Sequence, residues 1–179
     1  MAENLRVTKY KDGSSIFHTP NGNQWNGTTS GEYCYYNNNP INDSLYGKLY
    51  DWKAVDNPSG LCPTGWHVPS QNEWGTLISN LGGATVAGGK LKSVSSLWNQ
   101  PNIANNSSGF SALPAGYRMY TADFLGLGVD AWFWTSTTNG DSCQCQAFCQ
   151  QLNNTSESIN GAWPYTGRKW GLPVRCVKN

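Results

Sequence analysis

The sequence predicts a loop-rich α+β domain. Three observations carry that expectation: the helical signals come early, the strand signals come late, and turn-forming pairs interrupt the chain throughout. Helices segregated from strands, in place of regular β-α alternation, point to α+β layering. A chain of 179 residues suits one hydrophobic core. With no fixed-period repeat and no linker long enough to divide it, residues 1–179 read as one domain.

Residues 1–45 are polar and turn-rich, with Asp12-Gly13, Pro20-Asn21-Gly22, Asn26-Gly27 and the run Asn37–Asn39. Short strands joined by loops follow, and Tyr33-Cys34-Tyr35-Tyr36 is the strand-prone patch. From Tyr46, Leu49, Trp52 and Val55 recur near helical spacing until Asn57 and Pro58, which predicts a helix of two to three turns. Next, Ser70 and Glu73 form an S-x-x-E capping box. Trp74, Leu77, Ile78 and Leu81 then share one face, and Gly82-Gly83 supplies the stop, which predicts a helix over 70–81. Beyond Gly83 the chain returns to short segments. AWFWTST (131–137) reads as a strand with Trp132 and Trp134 on one face and Phe133 and Thr135 on the other, one of them core. LPVRCVK (172–178) reads as the final strand.

Composition narrows the function. Charged residues make up 13% and the net charge is +1, so no electrostatic footprint for nucleic acid or an anionic membrane is present. No run approaches the ~20 apolar residues of a membrane span, and the N-terminal segment has no apolar signal core. Nine Trp and nine Tyr stand among abundant Gly, Asn, Ser and Thr, the composition of binding surfaces. A small domain whose aromatics all serve the core is the plainer alternative. Six cysteines allow a disulfide framework whose pairing spacing does not fix. Cys143 and Cys145 form C-x-C with no His nearby, which argues against a metal there. His18 and His67 have no nucleophile and acid at a recognisable motif spacing, so no catalytic residue is assigned.

Several segments carry a resemblance: MAENLRVTKYKDG, YGKLYDWKAV, GLCPTGWHVPSQNEW, AGGKLK, GFSALPAGYR, FWTST and VRCVK, in that order. Together they resemble the Fibrobacter succinogenes major paralogous domain family. VPSQNEW is also similar to the matching helix motif of the formylglycine-generating enzyme family. That resemblance implies a C-type-lectin-like fold, two helices packed on small twisted antiparallel sheets. It does not imply the enzyme's activity, because no pair of cysteines here matches its copper site. Proteins of this fold type also serve as variable proteins of diversity-generating retroelements. Their diversified segment corresponds here to about 130–176, and Cys143, Cys145 and Cys149 fit random substitution better than a designed framework. Cys34, Cys62 and Cys176 sit in family-like motifs, so a framework bond is expected among them, leaving one free or paired with the 143–149 cluster.

The resulting expectation is a non-enzymatic adhesion or receptor-type module that recognises protein or glycan. It would sit outside the cell, on a bacterial or phage surface, as part of a larger surface protein or a phage tail assembly. The alternatives are a formylglycine-generating-type oxidase and a structural module without a ligand. The candidate contacts are Asp130, which opens the window; Trp132, expected exposed just ahead of the FW motif; Ser142, Cys143, Cys145, Phe148, Gln150, Asn153, Thr155 and Asn160, in a polar stretch read as loop; and Trp163, Tyr165 and Trp170, set among Gly and Pro with contact and core both open. No cofactor is expected. No calcium-lectin motif is present, which leaves room only for a structural calcium held by backbone carbonyls.

Overall fold

A computed structural model of the chain describes residues 1–20, 22–25, 29–138, 140, 146–161 and 166–179. Within them the elements run β1 (Phe17–His18), β2 (Glu32–Cys34), α1 (Ile41–Tyr46), β3 (Leu49–Tyr50), α2 (Trp52–Val55), β4 (Trp66–His67), α3 (Gln71–Asn80), α4 (Ala84–Leu91), β5 (Ala115–Arg118), β6 (Phe124–Leu127), β7 (Asp130–Thr138), β8 (Gln146–Asn153), β9 (Ile159–Gly161), β10 (Thr166–Gly167) and β11 (Val177–Lys178). The α+β class holds, with four helices among the described residues where two were expected.

The capping box forms as its chemistry requires. Glu73 Oε2 accepts the Ser70 amide at 2.8 Å, and Ser70 Oγ accepts the Glu73 amide at 3.3 Å, so orphan N–H groups at the start of α3 are satisfied reciprocally. Trp74 is buried while Leu77, Ile78 and Leu81 pack beside it.

The single helix predicted from Tyr46 is instead α1, β3 and α2. Gly47, at φ 78°, ends α1. Tyr50 then exchanges both backbone hydrogen bonds with Leu172, at 2.9 and 3.0 Å, and tertiary pairing overrides the helical spacing. Asp51 restarts a single helical turn by accepting the Ala54 amide at 3.0 Å, and it also accepts the Glu32 amide at 2.9 Å.

A second helix, α4, was not expected after Gly83. Its sequence, ATVAGGKL, sets Thr85, Val86 and the consecutive Gly88 and Gly89, all weak helix formers, within eight residues. Packing supplies the reason: a Cβ at Gly88 would collide with the Ser158 carbonyl, and the Gly89 amide donates to Glu157 O at 2.9 Å. The two glycines let the chain entering β9 lie directly on the helix.

The main sheet has six strands in the order β10-β8-β7-β5-β6, with β9 beside β8, and β5 and β7 run parallel. It is therefore mixed, and its size exceeds the small antiparallel sheets expected. Strand β7 is central. Trp132 and Trp134 enter one apolar cluster with Tyr50, Trp52, Leu172 and Val174. Ala131 and Phe133 enter another with Trp74, Leu91, Trp98 and Leu152. The predicted alternation holds, but both faces are core rather than one.

The predicted strand 172–178 is regular only at β11, which pairs with β4. Pro173 has no N–H to donate, and beyond the Leu172–Tyr50 pair the next two residues bond to different neighbours: Pro173 O accepts from Trp134 N at 3.1 Å and Val174 O from Leu5 N at 2.9 Å. The expected framework bond is Cys62–Cys176. Cys34 is a free, fully buried thiol that burial pushes up to about 12.

Asp51 gives the fold a pH signature. Burial raises its carboxyl from 3.8 to about 7, against the two amides that favour the anion. The folded protein thus keeps this proton where the unfolded chain has released it, and stability falls as pH rises from about 4 to about 7. Asp51→Asn keeps an acceptor for both amides and removes the titration. Relative to the natural chain it is expected to gain on the order of 2–4 kcal/mol between pH 4 and pH 8, read from urea midpoints at each pH. Parallel pH profiles of the two proteins would contradict this.

Candidate functional site

Antiparallel register decides which side chains of the C-terminal window can meet. Asp130 stands opposite Asn153 and Trp132 opposite Gln151 across β7 and β8, so all four share one face of the sheet. Asp130 Oδ1 accepts from Gln151 Nε2 at 3.1 Å and from Asn153 Nδ2 at 3.0 Å. From β5, Tyr117 reaches the same face. Its ring lies 5.5 Å from that of Trp132 and stacks on Trp170 at 5.2 Å with planes 8° apart, and Trp170 meets Trp132 edge-on at 6.1 Å. Burial first, then the Asp130 carboxylate, raises the Tyr117 hydroxyl above its ordinary value.

The outcome is a small half-buried face. Tyr117, Asp130, Gln151, Asn153 and Trp170 are each partly exposed, and Trp132, at 7% exposed, forms its floor. Carboxylate and amide groups next to stacked rings can recognise hydroxyls, amides and apolar edges in one ligand. Among the described residues no group of three or more His, Cys, Asp or Glu side chains stands together to hold a metal.

The profile of the Fibrobacter succinogenes major domain family matches residues 1–178. The chain belongs to that family. No curated protein and no solved structure matches it significantly.

Within this Fibrobacter major domain the sequence-predicted contacts separate into groups. Asp130, Trp132, Asn153 and Trp170 come together, and Thr155 adjoins them by donating to Asn153 Oδ1 at 2.7 Å. Trp132, however, is a core residue, not an exposed one, because the parallel neighbour β5 brings Tyr117 over it. Residues 146–153, read as loop, are strand β8. Gln150 accordingly lies buried on the opposite face, where its Nε2 donates to Gln71 Oε1 at 2.9 Å, so it anchors β8 to α3. Phe148 is half-buried on that same face, and Asn160 is exposed on β9. Ser142, Cys143, Cys145, Trp163 and Tyr165 lie outside the described residues. Tyr117 and Gln151 escaped the sequence reading; alternation along β8 would have placed Gln151 beside Trp132, had its glutamines not suggested a loop.

The two histidines of the Fibrobacter major domain have structural settings. His67 bonds Glu73 Oε1 at 2.8 Å and Asn179 Oδ1 at 2.6 Å. Those two bonds, Asn179 first and then Glu73, raise its pKa above 6.5. Ser70 Oγ donates to Glu73 Oε2 at 2.8 Å. His18 stacks on Tyr33 at 5.0 Å.

Proposed function

We propose that this domain is a non-enzymatic ligand-binding module that recognises protein or glycan through the Tyr117–Asp130–Gln151–Trp170 face. The observation that carries this reading is the stacked Tyr117–Trp170 pair beside an Asp130 carboxylate whose Oδ1 accepts from both Gln151 and Asn153. Aromatic area with adjacent polar groups on a rigid support is how binding surfaces concentrate affinity. The support is rigid because β7 is packed on both faces.

The C-type-lectin-like fold is part of this proposal. Adjacent N- and C-terminal segments, joined at Leu5 and Val174, and the long β7–β8 hairpin are in keeping with it. The register row Thr138, Ala147 and Thr166 brings the flanks of 139–145 and 162–165 to neighbouring strands. A retroelement-diversified window over 130–176 is part of the same proposal. Its locus would then carry a reverse transcriptase and a near-copy of those codons. Display outside the cell, on a bacterial surface or a phage particle, agrees with the Cys62–Cys176 bond.

Binding to a printed array of bacterial and host glycans and to displayed surface proteins tests the proposal. The double variant Tyr117→Ala, Trp170→Ala is expected to lose at least about 100-fold in affinity for whatever the natural chain retains, about 3 kcal/mol. Its circular dichroism should keep the natural spectrum. Full retention of binding by the folded variant would place the ligand elsewhere.

A further inference from the structure

A cavity of about 320 Å³ opens between α3 and the β4–β11 pair, and it shares no residue with the Tyr117–Trp170 face. Its walls are Trp66, Trp74, Leu77, Phe110 and Val177. That volume lies at the lower end of small-molecule sites, which are mostly apolar with a few polar groups.

Cations outnumber carboxylates in its lining. Arg175 is 2% exposed, and among the described residues its guanidinium donates to neutral acceptors: Phe110 O at 2.6 Å, Asn4 Oδ1 at 2.7 Å, Ser111 O at 3.0 Å and Met1 O at 3.5 Å. Lys178 adds a second cation from the exposed rim. The carboxylate in the lining, Glu73, is already engaged by Ser70 and by His67. In the same wall the Trp74 indole N–H is buried without an acceptor among the described residues, so its positive end is also uncompensated. Such charges and dipoles act more strongly beside a low-dielectric core than in water.

We propose that this cavity binds a small organic acid with a flat apolar body, an aryl or arylalkyl carboxylate. The aromatic walls cover the body, and the field of Arg175 and Lys178 favours the carboxylate over a neutral head. Naphthalene-1-acetate and its neutral amide, naphthalene-1-acetamide, serve as probes, titrated into the full chain by calorimetry.

The acid is expected to bind at least about tenfold more tightly than the amide. Leu77→Trp, which extends a ring from a half-exposed wall position, should weaken the acid by at least about tenfold, and Lys178→Glu by about threefold. Equal affinity for acid and amide overturns the proposal, as does the absence of saturable binding below about 10 mM. A folded Leu77→Trp protein that binds as well as the natural chain does the same. Should that variant fail to fold, unchanged affinity in Lys178→Glu, altered only at an exposed side chain, is decisive against it.

Discussion

Replacing both Cys62 and Cys176 with alanine is expected to lower the unfolding free energy by about 4–5 kcal/mol, a shift of roughly 2 M in the urea midpoint. The bond joins residues 114 apart in sequence, so in the unfolded chain it closes a loop that holds most of the protein. Loop-closure entropy grows only slowly with length, but at this length it is near its practical maximum. Both cysteines are buried, at 2% and 3% exposure, and alanine in their place also removes packing around the 172–176 segment. Binding at the Tyr117–Trp170 face should survive wherever the variant is still folded, because neither cysteine is one of the residues that form that face. Equilibrium unfolding of natural and variant chains measures the effect; a midpoint shift of less than about 0.5 M would mean that the unfolded state is already compact around this loop.

What the sequence made legible follows the range of the interactions involved. The start of α3 depends on Ser70 and Glu73, three residues apart, and the alternation of β7 depends on adjacent positions; both could be read locally. The helix α4 could not, because Gly88 and Gly89 are unfavourable until residues 157–158 cross them. Strand β8 was hidden for the same reason. Its Gln146, Gln150, Gln151 and Asn153 suggest a loop, and only the nine-residue partner β7 and Gln71 on α3 turn them into a strand with two assigned faces. The candidate face was half visible. Asp130, Trp132, Asn153 and Trp170 fell within the expected window, whereas Tyr117 comes from β5, a parallel neighbour whose position no spacing within the window could reveal. Trp132 shows the converse limit: its side of the strand was readable, but its burial depends on what that side meets.

Lys92→Met is expected to destabilise the fold by about 3–5 kcal/mol, a drop of roughly 10 °C in melting temperature. Lys92 is fully buried, yet it has no carboxylate partner among the described residues. Its ammonium donates to Asn153 O and Ser156 O at 2.7 Å each and to Asn154 O at 3.3 Å, and it lies 5.6 Å from the Trp98 ring. Three donors thus meet three carbonyls of the turn that ends β8. Methionine fills the stem's volume but leaves all three acceptors buried and unmatched, which is the costly arrangement. Burial, opposed by Glu157, pushes the Lys92 ammonium down from 10.5 to about 8, so at pH 7 it is still charged. Because the folded protein releases this proton before the unfolded chain does, stability in the natural protein should rise with pH between about 8 and 10.5, and the methionine variant should lack that rise. The effect should reach the candidate face as well. Asn153, whose carbonyl Lys92 holds, donates its side-chain amide to Asp130, so loosening the turn frees Asp130 to turn away from the Tyr117–Trp170 stack. Weakened ligand binding in Lys92→Met at temperatures well below its melting point, with Lys92→Arg intermediate, is the expected pattern. Full-strength binding in a destabilised Lys92→Met protein would show that the turn supports the fold alone.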